Sequence, residues 1–166
     1  MAKVRGMSDS ARTDRVFHLY LQRLRIIHMA LAAGMLLIGF LTYNLQEHPL
    51  SNFPPGDSTL IYLVPIAALT GYFFGLYLLN RLLKSLNSRQ ELSIRLSRYQ
   101  TASLLYYSCL EAPTLLALFA YIQQGYIFYA TIAACMLLYF CVQMPTARKI
   151  LKKVPLTARE MEILKN

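Results

Sequence analysis

The 166-residue chain predicts an all-α integral membrane fold, a bundle of four spanning helices with both N and C termini cytoplasmic. Three observations predict it. The chain is 56% apolar and only 15% charged, with mean hydropathy +0.38, whereas a soluble domain carries about 25% charged residues. The apolar excess falls in four blocks of roughly 20 residues, the length a helix needs to cross a hydrocarbon layer. The 17 Lys and Arg lie wholly outside those blocks and avoid two of the connections between them. The length suits one domain, a single membrane domain over 1–166.

The first block, Ile26 to Leu45, has no Asp, Glu, Lys or Arg and carries His28 near its start. The second, Ser58 to Asn80, is also uncharged and contains Pro65, Gly71 and Gly75, residues that spans tolerate because neighbouring helices satisfy the freed backbone. The third, Thr101 to Ile122, holds one ionisable acid, Glu111. The fourth, Tyr126 to Met144, is uncharged and stops at Pro145, whose missing N–H discourages continuation. The short alternating segments of a membrane barrel do not occur.

Orientation follows from the basic residues, which bias flanking segments towards the cytoplasm. Six lie in residues 1–25, five in the linker 81–100 and six in the tail 146–166, while Gln46–Asp57 and Gln123–Gly125 have none. This topology accounts for the pI near 9.6, so no nucleic acid is expected as a partner. About 25 polar and basic residues precede the first apolar run, which predicts a retained span rather than a cleaved signal peptide. Cys109, Cys135 and Cys141 fall within spans without CxxC or Cys/His ligand spacing and read as packing residues, with no metal site.

The connections carry local signals. Ser88-Arg-Gln-Glu91 matches a capping box, which predicts a third helix beginning near Arg89 and projecting about 12 residues, ~18 Å, beyond its span. Leu82, Leu83 and Leu86 opposite Leu92, Ile94 and Leu96 would continue helices two and three as an antiparallel pair, the equal alternative being a basic surface hairpin without a partner. Gln123-Gln124-Gly125 is short enough to make spans three and four antiparallel neighbours, with Gly125 at a left-handed helix end. The loop Glu47–Asp57, with three prolines and a glycine, should be irregular, and its Glu47 and His48 solvated. Val16–Arg25 mixes apolar and basic residues as an interfacial stretch does, and is expected to lie on the cytoplasmic surface or to enter from it. In the tail Arg148, Lys149, Lys152 and Lys153 alternate with Ile150, Leu151 and Val154, which predicts contact with anionic lipid headgroups at ~1 kcal/mol per base. Thr157-Ala-Arg-Glu160 is a second capping box and predicts a short helix running to Asn166.

Glu111 is the candidate intramembrane polar site, since a charge at mid-bilayer costs roughly 2.5–3.5 kcal/mol and such residues face protein or water. Helical spacing adds Tyr107, Ser108 and Thr114 as a polar stripe. Pro113 obstructs the carbonyl of Cys109, so Glu111 either bonds a freed carbonyl as polar glue or exchanges a proton or ion. Ala67, Gly71 and Gly75 make one face of helix two small at every fourth position, a helix-packing face whose partner is this chain or another. Ala30 with Gly34 and Ala130 with Ala134 are weaker versions, and together these faces suit a homodimer or larger membrane complex. Of the 12 tyrosines, Tyr72, Tyr77, Tyr106 and Tyr107 lie deep and need hydrogen-bond partners, and ordinary packing is weighed there against a lipid or quinone cavity. No catalytic motif is present, and one span-proximal histidine excludes a bis-histidine haem within one chain, so neither an enzyme nor a cofactor is expected.

The basic linker, Leu110-Glu-Ala-Pro-Thr-Leu-Leu116 and Met144-Pro-Thr-Ala-Arg-Lys149 together resemble a set of small uncharacterised four-span membrane proteins of Bacteroidota. The resemblance covers roughly residues 60–166 and departs at Ala112 and Met144, where Gly and Arg are common. It implies a multi-pass protein of a bacterial inner membrane and no particular activity. The function expected is that of a non-catalytic accessory or complex subunit acting through helix–helix and lipid contacts. The alternative is a proton- or ion-coupled transporter or channel component using Glu111.

Overall fold

The computed structural model describes residues 2–54, 56, 58–87 and 90–163. Six helices follow in order: α1 (Ala2–Leu45), α2 (Leu60–Lys84), α3 (Leu92–Gln124), α4 (Ile127–Val142), α5 (Ala147–Lys153) and α6 (Ala158–Ile163). Three of them, α1, α2 and α3, are long and apolar enough to cross a membrane. The 16 residues of α4 reach ~24 Å, and α4 joins the other three only if it and α5, bent 80° away, form one broken span. The chain is therefore all-helical with three to four candidate membrane-spanning helices. α3 lies at the centre and packs against α2, α4 and α1.

Of the two forms expected for Val16–Arg25, lying on the surface or entering from it, α1 has the continuous form that an entering segment takes. It runs unbroken for 44 residues, and Val16–Arg25 is simply its continuation. Phe17, Leu21, Leu24, His28, Ala32 and Met35 are all buried, at steps of three and four that line one helix face against the bundle. Burial of that stripe fixes which face of the segment meets the bundle.

The expected start of α3 is corrected. The helix begins at Leu92, with Glu91 extended (ψ 146°) as its first flanking residue. Ser88 and Arg89 of the expected capping box lie outside the described residues, and Glu91 makes no capping bond. The Gln90 carbonyl instead accepts from Arg95 Nε at 2.9 Å, a side-chain bond that fixes the chain's entry just before the first turn. Leu82 and Leu83 of α2 and Leu92 and Leu96 of α3 pack in one cluster at this end, while Ile94 is exposed.

The start of α1, the α2–α3 linker and the tail helices meet at this same end, called here the linker end. Ile150 and Val154 of the tail are buried in the cluster that holds Phe17, Leu21, Leu24, Leu79, Leu96 and Tyr99. The elbow between α4 and α5 is closed by polar side chains. Thr146 Oγ1 accepts from the Lys149 amide at 3.3 Å, Lys149 Nζ donates to the carbonyls of Val142 and Met144 at 3.1 and 3.2 Å, and Arg25 Nε donates to that of Pro145 at 3.2 Å. These cations meet the unsatisfied carbonyls at the C-terminal end of α4, where positive charge is favoured.

At the opposite, loop end, Gly125 closes α3 at φ 75°, its amide bonded to the Tyr121 carbonyl at 2.8 Å. The loop before α2 is latched to this turn: the Leu50 amide donates to the Gly125 carbonyl at 2.8 Å and the Ile127 amide to the Leu50 carbonyl at 3.0 Å. Gln124 adds a side-chain link, donating to Ser58 Oγ at 2.7 Å and accepting from the Tyr129 hydroxyl at 3.0 Å. A smaller core of Val64, Ala117, Leu118, Tyr121, Tyr129 and Ala133 fills this end.

Candidate functional site

α3 is a helix whose residues turn about 100° each, so positions 107 and 114 share a face, position 111 lies some 40° around from it and position 108 about 100° around. The packing follows that arithmetic. Tyr107 and Thr114 are buried, Glu111 is half-buried at the margin and Ser108 is exposed. The four do not form a connected polar stripe. Thr114 Oγ1 donates to its own Leu110 carbonyl at 2.8 Å and Ser108 Oγ to its own Leu104 carbonyl at 3.1 Å, which satisfies each hydroxyl locally. Glu111 has no hydrogen bond among the described residues.

The carbonyl obstructed by Pro113 is that of Cys109, and α2 covers it. A methyl group at Gly71 would collide with this oxygen and stand 2.9 Å from Pro113 Cγ. One turn on, a methyl at Gly75 would stand 3.0 Å from the Tyr106 ring and 3.1 Å from Cys109 Cβ. The small face of α2 thus lies against α3 of the same chain, and Ala67 lines a shallow groove beside it with Thr70 and Phe74. Of the other small pairs, Ala30 and Gly34 are exposed, while Ala130 and Ala134 line a cleft between α1, α3 and α4.

Two groups carry more chemistry than their sequence context suggests. His28 is 1% exposed, stacked on Phe140 with ring centroids 4.4 Å apart and 4° between planes, and Tyr107 meets it edge-on at 4.8 Å. Neither imidazole nitrogen has a hydrogen-bond partner among the described residues. Its place in the 17-21-24-28 stripe is the signal that marks it as inward-facing. Nearby, the hydroxyls of Tyr106 and Tyr139 lie 2.9 Å apart, and the Tyr72 ring packs edge-on against Tyr139 at 5.1 Å.

Arg95, one of the five linker bases, is the second. It is 1% exposed and its guanidinium is fully engaged: Nε on the Gln90 carbonyl, Nη1 on the Pro155 carbonyl and Nη2 on Glu160 Oε1 at 2.6 Å. Glu160 is held by the capping box at the start of α6, where its Oε2 accepts from the Thr157 amide at 2.8 Å and its own amide donates to Thr157 Oγ1 at 3.4 Å. Burial alone would raise the Glu160 carboxyl. The Arg95 guanidinium and the Thr157 amide and hydroxyl outweigh it and hold the carboxyl below the usual carboxylate range. The expected end of α6 at Asn166 lies outside the described residues.

Of the tail bases, Arg148, Lys152 and Lys153 are exposed, whereas Lys149 is half-buried at the elbow. Cys109 is half-buried and Cys135 and Cys141 are exposed, all three as free thiols. Among the described residues no three His, Cys, Asp or Glu side chains converge as metal ligands. Comparison with protein-family models, curated proteins and solved structures finds no match to this chain.

Proposed function

We propose that the chain is a four-span protein of a bacterial inner membrane, with both ends cytoplasmic, acting as a non-catalytic accessory subunit through helix–helix and lipid contacts. The observation that carries this reading is the bundle's outer surface. Leu36, Leu37, Phe40 and Leu41 on α1 and Ile66, Leu69, Phe73 and Phe74 on α2 are all exposed, a belt of large apolar side chains far beyond what a water-soluble surface presents. In a bilayer the same belt is the solvated surface. The linker end, where the start of α1 and the tail meet, carries the basic segments and suits the cytoplasmic side. The fourth span is α4, completed by its flanking residues, with α5 turned along the membrane surface so that Arg148, Lys152 and Lys153 reach anionic headgroups.

Glu111 is half-buried on α3 and makes no hydrogen bond among the described residues to the carbonyl that Pro113 obstructs, so the coupled-transporter alternative is separated from polar glue by substitution at this residue. Reporter fusions test the topology: an enzyme active only outside the cytoplasm should stay silent at both termini and at the 81–100 linker and be active in the loop after α1. Activity of that reporter at one terminus and not the other overturns the four-span reading. Glu111→Gln should leave folding, membrane insertion and complex formation unchanged. A loss of proton-dependent flux in that variant would return the transporter reading.

A further inference from the structure

We propose that the cleft between α1, α3 and α4 at the loop end binds one acyl chain of a bilayer glycerolipid, with the Tyr121 hydroxyl donating to the chain's ester carbonyl. The proposal rests on the membrane placement argued above. The cleft has a volume of about 310 Å³, at the lower end of the ~300–1,000 Å³ range typical of small-molecule sites. It is elongated along the bundle. Its α1 wall runs from Met35 to Tyr43, nine residues with a rise of ~12 Å. Gly39, Ala130, Ala133 and Ala134 supply the small side chains that leave the space open. On its outer edge Leu36, Phe40 and Tyr43 are exposed, so the slot is continuous with the apolar belt that faces lipid.

The lining selects the ligand. It contains no Asp, Glu, Lys, Arg or His, which disfavours a charged occupant. Thr42 Oγ1 donates to the Gly39 carbonyl at 2.8 Å and Thr114 Oγ1 to the Leu110 carbonyl at 2.8 Å, so both threonines are satisfied within their own helices. Tyr121 differs: it is 2% exposed, lines the cleft and has no hydrogen bond among the described residues. Unlike the enclosed His28 nitrogens, its hydroxyl oxygen remains accessible beside the cleft, where a phenol takes a hydrogen-bond partner from whatever fills the space. Tyr121 and Tyr43 lie within a turn of the loop-end termini of α3 and α1, the level of the membrane–water interface, where ester carbonyls reside. From there a linear chain descends towards Met35 and Leu137. Water is a poor occupant of so apolar a slot, and a bare hydrocarbon offers Tyr121 no acceptor. A helix of a second copy, about 10 Å across, exceeds the slot.

The test uses the full chain, extracted from membranes in mild detergent and examined by native mass spectrometry with lipid analysis of the same sample. One glycerophospholipid per chain should persist through detergent exchange. Tyr121→Phe, which removes a single oxygen atom, should lower retention about five-fold. Ala134→Phe, at the exposed edge of the slot, should abolish it, while Leu138→Phe, exposed on the same helix outside the slot, should retain wild-type binding. Should Ala134→Phe misfold, the Tyr121→Phe comparison decides. Equal lipid retention in wild type and Tyr121→Phe, a bound molecule lacking a glyceryl ester, or a lipid-free dimer would each overturn the proposal. If the chain sediments with membranes but carries no phospholipid, this site alone fails. If it remains in the supernatant without detergent, the membrane reading fails with it.

Discussion

Arg95 Nη2 and Glu160 Oε1 lie 2.6 Å apart across 65 residues of sequence, and the arginine is almost wholly buried. The pair ties the tail to the base of α3, with the Pro155 carbonyl as a further acceptor on the same guanidinium. Desolvating two charges is costly, and this pair is tolerated because the remaining donors and acceptors find backbone and capping-box partners.

That geometry predicts a non-additive pair of substitutions. Glu160→Ala leaves a buried guanidinium without its counter-charge and should destabilise the protein by about 3 kcal/mol. Arg95→Met combined with Glu160→Leu should cost much less than the sum of the single changes, since an apolar pair carries no desolvation penalty. Thermal unfolding of the four proteins in one detergent measures the coupling. Additive losses would show that the contact contributes nothing to stability.

The same carboxyl sets a pH dependence. Its folded-state value is depressed below the ordinary 4.5, so its contribution is complete above that value and is lost as pH falls through the lower, folded one. The difference in melting temperature between wild type and Glu160→Gln should therefore stay constant from about pH 8 to about pH 5 and shrink at more acid pH. A difference that already closes near neutrality would show that Glu160 is not held by Arg95.

Gly71 and Gly34 form a matched pair of controls. Alanine at Gly71 meets the Cys109 carbonyl and the Pro113 ring, and separating α2 from α3 should cost about 1–3 kcal/mol. Alanine at Gly34 meets nothing within 4 Å and should be neutral or stabilising by up to ~1 kcal/mol through helix propensity. Melting temperatures of the two variants check the contrast. Equal tolerance would place the small face of α2 away from α3.

His28 is buried with both nitrogens unpaired among the described residues, so its polarity is a cost the fold bears. Replacement by Phe keeps the stacking on Phe140 and removes the unsatisfied groups, and should leave stability unchanged or raise it by about 1–2 kcal/mol. A variant that melts lower would reveal a hydrogen-bond partner, such as an internal water, within the native bundle.

Much of the local structure is legible in the residues. The long apolar runs of α1, α2 and α3, the left-handed Gly125 and the capping box at Thr157 and Glu160 depend on neighbours a few positions apart, which a linear reading contains. Where the reading stays open, a distant contact decides. Val16–Arg25 fits a surface stretch or an entering one, and the burial of Phe17, Leu21 and Leu24 against α3 and the tail governs it. The stripe drawn through Tyr107, Ser108, Glu111 and Thr114 fails because Ser108 lies about 100° around α3 from Tyr107 and the Ser108 and Thr114 hydroxyls bond carbonyls of their own helix.

By itself the sequence determined that this chain is helical and rich in membrane-length apolar segments, because hydropathy and backbone preference act over a turn or a span. Only the tertiary structure decided that Arg95 is buried among the described bases, which helix covers the Cys109 carbonyl, and that the tail closes on the bundle. Those outcomes depend on side chains brought together from 30 to 120 positions apart, where solvent exclusion changes what each group is worth.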